Sequence, residues 1–161
     1  MIIGSILEDQ NLEKRVSITP EIAKKYVGLG FQVQLSQRYG EHLGFQKNNY
    51  EDIGVKFIND ESDLIKTSDI VIQMGLLNDE KLSLLNSNQT YIGVLNSYQN
   101  KEKLNKLSQK NINLFSLELL PRITRAQSMD ILSSQANLAG YKAVVETFSI
   151  FEKAIPMMMT A

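Results

Sequence analysis

Between Met1 and Leu117 the chain alternates short runs of Ile, Val, Leu and Phe with helix-forming stretches, and the alternation recurs every ~20 to 30 residues. No other feature narrows the fold as much, because strands separated by helices pair in parallel and bury the sheet under helices on both faces. The apolar runs are Met1 to Ile6, Phe31 to Leu35, Val55 to Ile58, Asp69 to Met74, Thr90 to Leu95 and Ile112 to Leu117. Ile70, Val71 and Ile72 stand in succession, the pattern of a strand covered on both faces. Helices are expected over Pro20 to Leu29, Lys47 to Asp52, Asp60 to Lys66, Asp79 to Leu85 and Lys101 to Lys110. The first is the best marked: Thr19 can accept from a free amide, Pro20 suits the first helical position, Glu21 suits the positive end, and Gly30 stops it. The expected architecture is α/β, a doubly wound parallel sheet of about six strands, with the Rossmann-like or flavodoxin-like three-layer αβα arrangement.

After Leu120 the character changes. From Ala126 to Ala154 there is no proline, and Gly140 alone interrupts good helix formers, so one or two long helices should fill the span. Leu138, Tyr141, Val145, Phe148 and Phe151 fall at three- and four-residue steps, an apolar stripe for which the sequence offers no partner. The chain is long enough for one domain with a real core and too short for two ordinary ones. The expected organisation is an α/β domain over residues 1–125, a helical segment over 126–155, and a truncated link over 156–161. The link contains Met157, Met158 and Met159, which suit a core or an interface.

Several function classes are disfavoured by what the chain contains. Seventeen basic residues against 18 acidic ones produce no field that would draw nucleic acid or an anionic membrane directly. There is no cysteine, hence no disulfide and no thiolate chemistry. No apolar run reaches the ~20 residues that span a bilayer. The single His42 has no second His or Cys beside it, so it is expected in a surface loop and no metal site is expected. Gly40 and Gly44 belong to a turn, and the Gly-x-Gly-x-x-Gly turn that cradles a dinucleotide pyrophosphate does not occur.

The segment Pro121 to Tyr141 carries the polar chemistry. A loop opening into a helix there would set Gln127, Asp130, Ser133 or Ser134, and Asn137 on one helical face, with Arg122 just upstream. Such a stripe can present amide, carboxylate, hydroxyl and guanidinium groups to one ligand, and Asp130 at a helix start also has a purely structural use.

The sequence from Pro121 to Glu146 resembles the corresponding segment of the alpha subunit of proton-translocating NAD(P) transhydrogenase. Arg15 to Glu21, RVSITPE, is similar to an opening motif that this family shares with alanine dehydrogenase. The likeness is densest over Pro121 to Glu146, thinner over Arg15 to Gly30, and thinnest between Gln37 and Leu85. It implies that Arg122, Gln127, Asp130 and Ser133 bind NAD(H), with Gln127 as a positioning group. It further implies that NADP(H) sits on a partner subunit and that hydride passes directly from NADH to NADP+, coupled to proton movement through a membrane part. A second, NAD-binding Rossmann domain is expected to supply the pyrophosphate cradle, and later helices to cover the apolar stripe. The remaining partners so implied are the NADP(H)-binding and membrane subunits, with a homodimer as the expected assembly. The place so implied is cytoplasmic, peripheral to the inner (plasma) membrane. Alone the chain is expected to be inactive.

Related alanine dehydrogenases use an arginine at the position of Arg15 to hold a substrate carboxylate, with a lysine after the fourth strand and a histidine after the fifth. Here the matching stretches read Ile72-Gln73-Met74-Gly75 and Leu95-Asn96-Ser97, without either residue. Alanine oxidation is thereby disfavoured; an alanine dehydrogenase-like oxidoreductase stands as the first rival, and pairing with an early carboxylate is the expected role of Arg15. The second rival is a non-catalytic dimerisation module, in which the apolar stripe joins two copies and the polar loop binds nothing.

Overall fold

The computed structural model describes residues 1–153. The expected link at 156–161 and the last two positions of the expected helical segment, 154 and 155, lie outside the described residues. Six strands form one sheet: β1 (Ile2–Ser5), β2 (Gln32–Ser36), β3 (Lys56–Ile58), β4 (Ile70–Ile72), β5 (Thr90–Gly93) and β6 (Asn113–Ser116). Every pairing is parallel, in the order β3-β2-β1-β4-β5-β6. Strand order therefore reverses between β1 and β4, the place where open α/β sheets part their connecting loops and leave a crevice. Helices α1 (Pro20–Gly28), α2 (Lys47–Glu51), α3 (Glu61–Thr67), α4 (Asp79–Ser83) and α5 (Lys101–Gln109) fill the connections. Thr19 caps α1 by accepting from the Ile22 amide at 3.4 Å, with Pro20 opening the helix.

The core lies in two clusters, one on each face. Ala23 of α1 and Tyr50 of α2 pack with Ile3, Val33 and Leu35. Leu64 and Ile65 of α3, Leu82 of α4 and Leu107 of α5 pack with Val71 and Tyr91 on the other side. Gly4 permits the second arrangement: a Cβ there would stand 2.0 Å from Ser68 Oγ and 2.8 Å from Leu64 Cδ2, so α3 seats directly on β1.

The sheet is less covered toward its β6 edge. Ile72, Ile92 and Phe115 are register partners across β4, β5 and β6, so their side chains leave the sheet on the same side. That side is the α1–α2 face, because Ile70 and Ile72 belong to its cluster. Ile72 is packed against that cluster and Ile92 is partly buried, whereas Phe115 stands on the edge strand β6. Phe115 is accordingly 57% exposed.

This first compact unit runs from Met1 to Leu119, and a second begins at Leu120. In the second unit the chain forms a 3-10 helix, Thr124–Met129, and then α6 (Ile131–Ile150). The single helical face expected to run from Gln127 through Asn137 is interrupted between them. Asp130 is extended at φ −74° and ψ 90°, and its carboxylate accepts from the Ser133 amide at 3.0 Å, so it caps α6 instead of continuing a helix through it. No residue of α6 is buried. Leu138, Tyr141, Val145 and Phe148 are exposed as the stripe required, but Leu132, Val144 and Ile150 add apolar surface beyond it. A helix so apolar round its circumference suits the interior of a larger structure.

Candidate functional site

Arg122, Gln127, Asp130 and Ser133 line one hollow of about 380 Å3, together with Ile123 and Thr124. The interruption of the helix is what gathers them. Gln127 projects from the 3-10 turn, Asp130 stands at the break, and Ser133 opens the first turn of α6. Asn137 and Ser134, which a continuous helix would have added, do not belong to the lining. Asp130 and Ser133 act as one unit: Ser133 Oγ donates to Oδ2 at 2.6 Å while the Ser133 amide donates to Oδ1. These bonds, the hydroxyl first, hold the Asp130 carboxyl below its ordinary range, and the Arg122 charge acts in the same direction. The hollow thus offers a guanidinium, a primary amide and an ionised carboxylate with a hydroxyl attached. Such groups orient a polar ligand through hydrogen bonds.

A larger cavity, about 630 Å3, lies in the first unit at the carboxyl ends of β1, β4 and β5. Sequence reasoning did not foresee the polar network behind it. Gln73 is 2% exposed, and its Oε1 accepts from Ser5 Oγ at 2.9 Å and from the Ile6 amide at 2.8 Å. Its Nε2 donates to the Ile6 carbonyl and to Glu8 Oε1, each at 3.2 Å. Tyr39 extends the chain of bonds: its phenol accepts from the amides of Ser17 and Ile18, both at 3.1 Å, and donates to Ser5 Oγ at 2.9 Å. Glu8 closes the network by accepting from the Met74 amide at 2.6 Å. Burial, the largest influence, raises the Glu8 carboxyl above its ordinary value in spite of the Met74 and Gly75 amides. The one signal in the sequence was a glutamine directly after Ile70-Val71-Ile72, where a strand buried on both faces has room for an amide only if every bond is made.

The charges around this cavity are committed to one another. Arg15 grips Glu13 through Nε at 2.8 Å and Nη2 at 2.6 Å, Lys81 pairs with Glu61 at 2.7 Å, and Lys103 pairs with Asp79 at 2.8 Å. Arg15, Met74, Gly75 and Asn96 all line it, so the positions where alanine dehydrogenases are expected to carry arginine, lysine and histidine do converge here, with two of the three groups missing. His42 lies in a short 3-10 turn between Gly40 and Gly44, donates from Nε2 to the Lys14 carbonyl at 2.7 Å, and accepts at Nδ1 from Gln10. Gly40 and Gly44 have φ of +78° and +84°, which is the reason for glycine at both ends of that turn. Among the described residues no group of three His, Cys, Asp or Glu is placed to hold a metal ion. Nor is any described helix long and apolar enough to cross a membrane.

The chain is thus a doubly wound α/β domain with a crevice at its strand reversal, and its sequence continues into a segment with a polar hollow and a long helix. Residues 5–139 match the family described as alanine dehydrogenase/PNT, N-terminal domain, and the chain belongs to it. It is 36% identical to the first part of the divided NAD(P) transhydrogenase subunit alpha of Rickettsia prowazekii, over 100% of this chain and 43% of that protein. It is 37% identical to the protein of the same name from Rhodospirillum rubrum, over 92% of this chain and 40% of the other. Alanine dehydrogenase 1 of Staphylococcus aureus is 24% identical, over 90% of this chain and 38% of its own length. Among solved structures, transhydrogenase from Sinorhizobium meliloti superposes with a TM-score of 0.87 at 36% identity, covering all of this chain and 48% of that one. The chain therefore spans less than half the length of these relatives.

Proposed function

We propose that the chain is the N-terminal domain of the NAD(H)-binding component of a proton-translocating NAD(P) transhydrogenase, in which Arg122, Gln127, Asp130 and Ser133 orient the nicotinamide nucleotide. The observation that carries this reading is the gathering of those four residues round one hollow, despite the break in the helix between them. Their chemistry fits a nicotinamide riboside. A primary amide such as Gln127 can pair with a carboxamide, Arg122 can meet a carbonyl or phosphate oxygen, and the Asp130–Ser133 unit can accept from ribose hydroxyls. The nucleotide supplies the hydride, which leaves NADH as NAD+ and converts NADP+ on a partner subunit into NADPH. No proton moves in that step, so the demand on the protein is alignment of two rings at contact distance, and fixed hydrogen-bonding groups answer that demand better than an acid or a base.

Two surfaces of the chain agree with a domain completed by further polypeptide. Phe115 at the β6 edge of the sheet and the unburied α6 both present apolar surface of the kind that partner segments bury. The relatives whose alpha subunit is divided, and which carry the name of its first piece, accord with such a division. NADP(H)-binding and membrane subunits complete the proposed assembly, which places the chain on the cytoplasmic side of the inner membrane. The alanine dehydrogenase-like alternative is weakened by the cavity that should serve it, where Met74, Gly75 and Asn96 stand in place of proton-handling groups and Glu13 holds Arg15.

Titration of the isolated chain with NADH tests the reading, with a dissociation constant no tighter than roughly millimolar expected from a site lacking its pyrophosphate cradle. Micromolar binding by the chain alone refutes it. In the complete enzyme, Asp130→Ala should lower hydride transfer by at least about tenfold, and unchanged transfer in a folded variant refutes the assignment of the hollow.

A further inference from the structure

Polar clusters that a protein builds for its own support close on themselves. Glu118 heads one in the first unit: its carboxylate accepts from the Ser97 amide at 2.9 Å, from Ser97 Oγ at 3.0 Å, from Ser116 Oγ at 2.7 Å and from the Leu95 amide at 3.1 Å. Burial works against its charge, but the bonds from Ser116 and Ser97 outweigh that and hold the carboxyl at about 2. The hollow of the second unit is built otherwise. Arg122, Thr124, Gln127, Asp130 and Ser133 bring polar groups to its lining, and the remaining residue there is Ile123.

An exposed isoleucine is ordinary on a protein surface, so the 55% exposure of Ile123 says little alone. Its backbone says more. Ile123 is extended at φ −121° and ψ 158°, its amide donates to the Pro121 carbonyl at 2.9 Å, and its carbonyl accepts from the Ala126 amide at 2.9 Å. Pro121 has a fixed φ, Ala126 is buried, and a β-branched side chain has a restricted χ1. The side chain is thus held in place on the wall of a polar hollow with more than half its surface open. A side chain so restrained loses little conformational freedom when a flat ring settles on it, and the gain is apolar area removed from water.

We infer that Ile123 is a further nucleotide-contacting residue: its side chain is the apolar seat on which one face of the nicotinamide ring rests, while the polar groups round it hold the carboxamide and the ribose. The inference rests on the assignment of the hollow to the nicotinamide nucleotide. A ring seated by one face leaves the other for the second nucleotide, as direct hydride transfer requires. A polar side chain at this position would leave a hydrogen-bonding group unpaired beneath the ring, which is the reason for an apolar one.

The test uses the complete transhydrogenase carrying Ile123→Thr, Ile123→Val or Asp130→Ala. Threonine and valine share a shape and a branch at Cβ, and differ by a hydroxyl in place of a methyl. The KM for NADH is measured in hydride transfer to NADP+, with ADP-ribose, the same nucleotide without its nicotinamide ring, as a competitor. Expected is a rise in that KM of about tenfold for Ile123→Thr and of no more than about threefold for Ile123→Val, with inhibition by ADP-ribose within about twofold of the parent in both. A merely structural role would shift the two nucleotides together. Equal weakening of NADH and ADP-ribose by Ile123→Thr, or a threonine variant no weaker than the valine one, overturns the inference while Asp130→Ala is impaired. Unimpaired Asp130→Ala overturns the reading of the hollow on which it rests. Should Ile123→Thr fail to accumulate, Ile123→Ala removes the same seat, and the same separation of NADH from ADP-ribose is expected of it.

Discussion

Replacing Gln73 by Leu isolates the value of the polar strut at the strand reversal. Leucine is close to glutamine in volume though shorter, so most of the cost arises from bonds rather than from packing. The Ile6 amide, in a residue with no exposure, loses its acceptor, while the Ile6 carbonyl, Ser5 Oγ and Glu8 each lose one partner. A buried donor left unpaired costs about 1–3 kcal/mol, and the groups that keep a second partner lose less, so the sum is about 2–4 kcal/mol after the gain from an added apolar side chain. For a unit of this size that is a fall in Tm of roughly 8–15 °C. Gln73→Glu adds a test of sign. The new carboxylate would face Glu8 across the 3.2 Å now spanned by a hydrogen bond, a repulsion of about 5 kcal/mol at an effective dielectric of about 20. Its pKa in the folded state must rise above the unfolded value, so the penalty is slight below about pH 4 and grows as pH rises toward the folded pKa. Thermal melts of the chain from about pH 4 to 8 read both effects. A Gln73→Leu variant within about 2 °C of the parent, or a Gln73→Glu variant that does not recover on acidification, refutes the claim that this network holds β1 to β4.

Gly4→Ala should destabilise the chain by about 2–3 kcal/mol in denaturant unfolding, because the added methyl meets Ser68 Oγ and Leu64 Cδ2 and α3 must lift from β1; Ser68→Ala in the same chain should return some of the loss. The Glu118 carboxyl, lowered from 4.5 to about 2, contributes stability that is complete above pH 4.5 and disappears as pH falls toward 2, up to about 3 kcal/mol in a dry site and roughly half that in this partly exposed one. The stability difference between the parent chain and Glu118→Gln, followed by denaturant titration, should shrink over that window. Arg15→Gln breaks an exposed ion pair with Glu13 and should change stability by less than about 1 kcal/mol, with hydride transfer in the complete enzyme unaltered; a large loss of transfer would reassign Arg15 to the site.

The elements were legible because each strand run and each cap obeys a local rule. Thr19-Pro20 starts α1 where a side-chain acceptor and a proline can start a helix, and Ile70-Val71-Ile72 forms β4 in the middle of the sheet, as a run of three β-branched residues suggests. Asp130 was legible in kind but not in place. The same carboxylate that helps a helix start can also end the preceding turn, and spacing alone does not distinguish a residue on a helix face from one that caps it. The partners of Gln73 and Glu118 were out of reach for a different reason. Gln73 bonds to residues 65 to 68 positions earlier, and Glu118 to loops brought near by β5–β6 pairing, so both depend on topology that no local pattern encodes.

The two polar regions of the molecule use their groups in opposite ways, and that contrast bears on the chemistry. At the strand reversal Glu8, Glu13, Arg15, Lys81 and Lys103 bond to backbone amides or to neighbouring charges, so the charges of the larger cavity serve as struts between loops. In the smaller hollow, Asp130 and Ser133 also bond to each other, yet Ser133 is exposed and the Asp130 carboxylate keeps acceptor capacity for a ligand. An enzyme that reduces a keto acid must deliver a proton as well as a hydride, and it needs a titrating group in the reacting crevice. A hydride exchange between two nicotinamide rings needs none. The crevice can then turn its acids and bases into scaffolding, provided that the segment after the last strand carries the orienting groups. On this division Gly75→Lys and Asn96→His should leave transfer between nucleotides in the complete enzyme within about threefold, because alignment and not proton supply limits that reaction. A gain of about tenfold in transfer from either substitution would mean that proton handling limits the step after all, and the separation argued for the two regions would fail.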